Sequence, residues 1–249
     1  MPLVEAAVET LHSALAAERA GAGRIELCAS LSHGGTTPSA GLIAAVVERV
    51  RIPVFVLIRP RGGGFVYSDE EIGVMLRDIK LASTLGIDGI VIGVLTPENL
   101  VDAGHTRALI EAAEGLPVTF HRAFDLTRNL PEALEQLIEA GVSRILTSGG
   151  AATALAGAGA IAALVDQARA RIVVMPGGGI REHNVRELIA RTGVSEVHTG
   201  LSSLVRTQMS LQKPDIRLRK SSPDDEGAWE EVDEAGMRRL VDVVHSQDR

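Results

Sequence analysis

Leu85-Gly86-Ile87-Asp88-Gly89-Ile90-Val91-Ile92-Gly93 reads as the stop of one helix followed at once by a short β-branched strand. The same grammar recurs where Ala20-Gly21-Ala22-Gly23 precedes Arg24-Ile25-Glu26-Leu27-Cys28, and where Glu139-Ala140-Gly141-Val142 precedes Ser143-Arg144-Ile145-Leu146-Thr147. Working outward from these, strands are expected at 3–8, 24–28, 53–58, 88–93, 117–121, 143–147, 171–175 and 194–198, with Ala/Leu/Glu-rich helical segments between them. A parallel return needs a crossover that a helix fills, so this alternation predicts a parallel sheet, and eight units predict closure. The expected fold class is α/β, a single-domain (β/α)8 TIM-type barrel, and the 249 residues match the roughly 250 typical of one.

Local signals agree with that frame. Thr37-Pro38 places a cap residue before proline, Ser68-Asp69-Glu70-Glu71 has capping-box spacing, and Leu130-Pro131-Glu132 opens a helix that Gly141 stops. The stretch 201–231 gathers Gln, Lys, Pro, Ser, Asp and Gly and reads as a long loop before a final helix at 233–245. It is either a flap over the barrel mouth or a solvated insertion.

Composition narrows the function classes. A hydrophobic share of 45% supports a large core, while 2% aromatics leaves few base-stacking platforms. The formal charge of −7, with no Lys/Arg-dominated run, argues against nucleic acid as a partner. No apolar run is long enough to span a bilayer, and the start of the chain reads as a strand rather than a secretory leader. Cys28 is the single cysteine, so no intramolecular disulfide forms, and the cytoplasm is the expected compartment.

Because side chains alternate along a strand, a polar residue in phase with the inward set is costly unless it is paired or used. This test selects Glu26 with Cys28, Thr119 with His121, and Glu196 with His198, joined after the third and fifth strands by Arg59, Arg61, Arg122 and Asp125. All fall toward the carboxyl-terminal mouth, where barrel enzymes build their sites. The expected catalytic group is Glu26, Arg59, Arg61, His121, Arg122 and Asp125, with His121 moving a proton and Glu26 and Asp125 tuning it. The alternative is a structural ion-pair network of Glu5, Glu26 and Arg59. Glycine-rich turns follow the last three strands, and Ser148, Gly149, Gly178, Gly179 and Gly200 are expected to bind an anion through backbone N–H groups, helped by a helix starting near Glu182.

The same blocks resemble the CutC family. Arg24-Ile25-Glu26-Leu27-Cys28, Gly34-Gly35-Thr36-Thr37-Pro38-Ser39, Ile58-Arg59-Pro60-Arg61-Gly62-Gly63, Phe120-His121-Arg122-Ala123-Phe124-Asp125, Ile145-Leu146-Thr147-Ser148-Gly149-Gly150 and Met175-Pro176-Gly177-Gly178-Gly179 carry the resemblance, in order, from about residue 3 to 200. It implies a TIM-type barrel, a cytoplasmic location, homo-oligomerisation and a link to copper handling. The chain departs from the family's usual pattern at Ala7, where a cysteine is common, and at His33, where glutamate is common. Copper(I) favours thiolate, thioether and imidazole ligands, so Cys28, His121, Met175 and His198 are the expected metal set, although there is no CxxC, Met-rich run or HxxxH pair. Two functions therefore stand as expectations. One is copper homeostasis through a bound copper(I); the other is an enzyme acting on a small anionic or phosphorylated metabolite at the mouth.

Overall fold

In the computed structural model, which describes residues 1–209 and 227–246, eight parallel strands form the wall of a barrel. They are β1 (Leu3–Val8), β2 (Arg24–Leu27), β3 (Val54–Leu57), β4 (Gly89–Ile92), β5 (Val118–Phe120), β6 (Arg144–Thr147), β7 (Val173–Pro176) and β8 (Glu196–Thr199). The hydrogen-bonded order runs β7-β6-β5-β4-β3-β2-β1-β8, and a parallel Gly177–His198 bridge closes the ring. Gly177 allows that closure, since a β-carbon there would lie 2.6 Å from Leu146 Cδ1.

Outside the wall pack α1 (Leu11–Arg19), α2 (Ala40–Arg49), α3 (Asp69–Thr84), α4 (Ala103–Ala112), α5 (Leu130–Ala140), α6 (Ala158–Ala168), α7 (Val185–Thr192) and α8 (Glu234–His245). The outward strand residues Val4, Ala6, Ile25, Leu27, Ile90, Ile92, Phe120 and Ile145 are fully buried against helix residues such as Met75, Leu109, Leu134 and Leu137. Burial of each large aliphatic side chain stabilises the fold by about 1.5–3 kcal/mol, so this aliphatic layer carries the stability that scarce aromatics do not.

The caps follow local chemistry. Ser68 forms a full capping box with Glu71 at the start of α3, and Gly141 ends α5 in the left-handed conformation at φ 89°. Two expected starts move. Helix α2 begins at Ala40 with Ser39 as its cap, because Thr37 instead accepts a hydrogen bond from Arg59 N (2.9 Å). Helix α7 begins at Val185 rather than near Glu182, because Arg181 N is taken by Asn184 Oδ1 (2.8 Å) in a turn.

The expected long loop over 201–231 is corrected at both ends. Ser202–Arg206 (β9) and Ala228–Val232 (β10) pair as an antiparallel ribbon, while 210–226 lie outside the described residues. Val232 N donates to Ser13 Oγ (2.9 Å), and Glu231 accepts from Thr10 Oγ1 (2.6 Å) and from Ser13, which docks β10 on α1. Asp233, expected as the first residue of the last helix, caps it instead.

Candidate functional site at the barrel mouth

Inward-facing side chains fill the barrel from the bottom. Arg24 and Arg144 both lie over the Phe55 ring, at 5.0 and 5.4 Å, and Gly89 leaves room for that ring because a β-carbon there would stand 2.6 Å from it. Glu196 bridges the two guanidinium groups, and Arg144 grips it bidentately at 2.6 and 3.0 Å. Arg144 also donates to Thr119 Oγ1 (3.2 Å), and Arg24 donates to Glu5 and to Met175 Sδ (3.3 Å). Buried charges persist where they are paired, and here two carboxylates meet two guanidinium groups.

This layer passes upward through one carboxylate. Glu5 Oε1 lies 2.8 Å from His198 Nδ1, and His198 Nε2 lies 3.8 Å from Glu26 Oε2. Burial opposes the charged form of Glu5, but hydrogen bonds and charge from His198 and Arg24 outweigh it and hold the carboxyl at about 2. Burial likewise opposes the charged imidazole of His198, yet the neighbouring Glu26 and Glu5 raise it above the ordinary histidine value. Burial raises Glu26. Glu26 and His198 face each other at the floor of the mouth, where Cys28 Sγ also approaches Glu26 Oε2 (3.6 Å). Burial, then the Glu26 charge, push the Cys28 thiol well above 9.0, so it stays protonated.

His121 sits across the mouth. Its Nδ1 accepts from Ala123 N (3.1 Å), which places the ring proton on Nε2, and that buried Nε2 has no partner among the described residues. Burial, then the nearby Arg59 charge, lower its pKa to about 3, so the ring is neutral. Phe65 packs on it at 4.8 Å, and Gly93 gives it a slot, since a β-carbon there would fall 2.2 Å from His121 Cε1. A ring held neutral in this tautomer meets the cavity as a hydrogen-bond donor rather than as a proton acceptor.

The remaining expected residues divide by geometry. Arg122 lines the cavity; it holds Asp125 Oδ2 through Nε (2.8 Å) and Ser148 Oγ through Nη2 (2.8 Å), leaving Nη1 without a partner among the described residues. Asp125 is turned away from the cavity and into the turn after β6, accepting from Thr147 Oγ1 (2.5 Å), Ser148 N (2.9 Å) and Gly150 N (3.1 Å). Gly149 N donates to Thr147 Oγ1 (2.8 Å). The expected anion nest at Ser148-Gly149 is therefore filled by the protein's own carboxylate. Gly178 and Gly179 do line the cavity, and their N–H groups have no acceptor among the described residues; Gly200 lines it too.

Arg59 and Arg61 serve the loops. Arg59 Nη1 donates to the carbonyls of Gly34 (2.9 Å) and Gly35 (2.7 Å), and Nη2 to that of Gly63 (2.6 Å). Arg61 pairs with Glu71 and the Val66 carbonyl outside the cavity. Neither Arg59 nor Arg61 joins the expected catalytic group, and Glu5 pairs with Arg24 rather than Arg59.

The expected copper(I) set does not assemble. Met175 Sδ is held by Arg24 below the mouth, and Ala7 adds no second thiolate. Among the described residues, no group of three or more His, Cys, Asp or Glu is arranged to hold a metal ion.

The cavity has a volume of about 440 Å³, ample for a small metabolite. Its floor is Glu26, Cys28 and His198, and one wall is His121 with Phe65. Ser202, Glu230, Glu231 and Val232 of the β9–β10 ribbon reach its rim. Sequence reasoning missed Arg24, Arg144 and the ribbon; Arg24 stands in phase with Glu26 and Cys28, a signal the period of two already contains.

Known proteins resemble this chain in sequence and fold. The CutC family pattern matches residues 2–203. "Copper homeostasis protein cutC homolog" from Mus musculus is 44% identical over 238 residues, covering 96% of this chain and 88% of the mouse protein. A family protein CutC from Xylella fastidiosa is 48% identical over 241 residues, covering 97% and 88%. The crystal structure of CutC from Streptococcus agalactiae superposes with a TM-score of 0.76 at 38% identity, over 80% of this chain and 98% of that one. Phosphoribosylanthranilate isomerase from Thermotoga maritima shares the fold alone, with a TM-score of 0.59 at 13% identity over 98% of this chain and 99% of that one.

Proposed function

The chain belongs to the CutC family, and from that premise we propose that it serves copper homeostasis through acid–base chemistry on a small anionic metabolite at the barrel mouth. The family role follows the names of its relatives, while the molecular reading rests on one observation. A buried carboxylate, Glu5, orients an imidazole, His198, against a second carboxyl, Glu26, and this series opens into a 440 Å³ cavity. General acid–base work needs titratable groups with shifted proton affinities beside a ligand space; here burial raises Glu26, and the neighbouring Glu26 and Glu5 raise His198 against its own burial. Arg122 Nη1 and the N–H groups of Gly178 and Gly179 supply donors for an anion on the same cavity.

The relatives' names also support a competing reading, copper(I) held by Cys28. Anaerobic competition titration of the reduced protein with copper(I), wild type against Cys28→Ser, separates the two. We expect weak binding that the substitution leaves unchanged, together with phosphate-induced shifts at Gly178 and Gly179 in amide NMR spectra. Tight stoichiometric copper(I) binding lost in Cys28→Ser would transfer the assignment to the metal.

The same reading places the protein in the cytoplasm as a homo-oligomer, with a small molecule rather than nucleic acid or membrane as its partner. The charge of −7 disfavours nucleic acid, and no helix among the described residues is long and apolar enough to cross a membrane. Light scattering checks the oligomer.

A further inference from the structure

We propose that the mouth cavity takes a small α-hydroxy carbonyl compound bearing a phosphate or similar terminal anion and isomerises it through an enediol, with Glu26 as the base on carbon and His121 as the donor to the carbonyl oxygen. This rests on the small-anion reading above and adds the functional group on which the chemistry acts.

The argument starts from His121. Its Nδ1 is consumed by Ala123 N, so the ring meets the cavity as a pure donor, and its Nε2–H is buried without an acceptor among the described residues. Buried donors are nearly always satisfied, and an orphan on a cavity wall is completed by a ligand oxygen. A neutral imidazole suits an oxygen that passes from carbonyl to enolate and back, because it stabilises the developing charge without fixing a proton there. Gly93, Phe65 and Arg59 keep the ring in that place and state.

Glu26 stands on β2, across the cavity from His121 on β5, and its carboxyl is buried. Burial raises its basicity toward that needed for a proton on carbon. The other nucleophile-bearing chain on the floor, Cys28, is kept protonated by burial and by the same carboxyl, which disfavours a covalent thiol route. The anion end falls to Arg122 Nη1 with the Gly178 and Gly179 N–H groups, on the far side of the floor.

The step balances within the substrate. Glu26 removes the proton from the carbon beside the carbonyl; that C–H pair becomes the C=C bond, and the carbonyl π pair moves onto oxygen, facing His121 Nε2–H. His198 gives its Nε2 proton to that oxygen and is refilled from the neighbouring hydroxyl, whose oxygen becomes the new carbonyl. Glu26 returns its proton to the former carbonyl carbon. Substrate and product are isomers, so no oxidant, reductant or further reactant is consumed.

The test is calorimetric titration with two enediolate mimics, 2-phosphoglycolohydroxamate and 4-phospho-D-erythronohydroxamate. Each is compared with the carboxylate of matched length, and inorganic phosphate is titrated in parallel. At least one hydroxamate should bind the wild type about a hundredfold more tightly than its carboxylate, since mimics of the reacting state gain what the ground state does not. Glu26→Gln, an isosteric change, should lose that preference while still binding inorganic phosphate. Deuterium uptake at the α-carbon of D-erythrose 4-phosphate, with Glu26→Gln purified identically as the control for contaminating isomerases, gives a second readout. Hydroxamates that bind no better than carboxylates, with phosphate still bound, overturn the enediol route and leave the anion site standing. Failure of phosphate itself to bind removes both.

Discussion

Glu5→Gln removes the carboxylate that ties the deep charge layer to the mouth imidazole. In the wild type this carboxyl is fully buried, paired with Arg24 and with His198, and held at about 2 against an ordinary 4.5. At 1.36 kcal/mol per pH unit the difference is worth roughly 3 kcal/mol near neutral pH, the same order as the 3–5 kcal/mol for breaking one side of a buried pair. Because the folded pKa is depressed, the contribution is complete above pH 4.5 and is lost as pH falls toward about 2. Urea unfolding should place the variant roughly 3 kcal/mol below the wild type near neutrality, and the gap should narrow by about 1 kcal/mol for each pH unit below 4.5. His198 works with the opposite sign. Its raised pKa gives stability that is complete below 6.5 and lost as pH rises through the folded value, and without Glu5 that slope should flatten. A gap under about 1 kcal/mol near neutrality, or one that does not narrow as pH falls below 4.5, would refute the pairing argument.

Three other perturbations probe separate parts of the site. Gly93→Ala should destabilise the fold by about 2–4 kcal/mol, since the new β-carbon would fall 2.2 Å from His121 Cε1 and break the Nδ1 contact to Ala123; an unchanged melting temperature counts against the slot. Cys28, buried and with its thiol raised well above 9.0, should react with a thiol-disulfide reagent at mildly alkaline pH at least about tenfold more slowly than in the urea-unfolded chain, and equal rates would contradict its environment. Asp125→Ala should cost about 2–4 kcal/mol by leaving Ser148 N, Gly150 N and Thr147 Oγ1 without their shared acceptor, which calorimetry would read as a lowered unfolding temperature.

The barrel was legible because its evidence is local. Each expected strand is a short β-branched run between a helix stop and a turn, and each is found within about two residues of its place, as at β4, where 88–93 contracts to Gly89–Ile92. The β9–β10 ribbon was not legible, because Ser202–Arg206 and Ala228–Val232 have mostly exposed faces and pair across a long stretch of chain. Arg24 and Arg144 were passed over as strand starts. The period of two puts Arg24 inside the barrel, but a buried guanidinium makes sense only with its partner, and Glu196 stands 172 residues from Arg24 and 52 from Arg144. Residue type at the mouth was readable and protonation was not. Nothing near His121 in sequence announces that Ala123 N will fix its tautomer, and nothing near His198 announces Glu5, 193 residues away.

The charge layer beneath the mouth explains why the two histidines differ. Glu5 and Glu196 balance Arg24 and Arg144, so the deep barrel is electrically closed. Replacing such a network by apolar side chains is often neutral or favourable for stability, so its value here lies in what it orients. Glu5 spends one oxygen on Arg24 and offers the other to His198, and that second contact fixes the imidazole with Nε2 toward Glu26. His121 lies over Gly93 with a cation, Arg59, as its charged neighbour, and burial completes its neutrality. One mouth therefore holds an imidazole biased to carry a proton and another biased to refuse it. Their surroundings thus drive the proton affinities of two rings on one cavity in opposite directions.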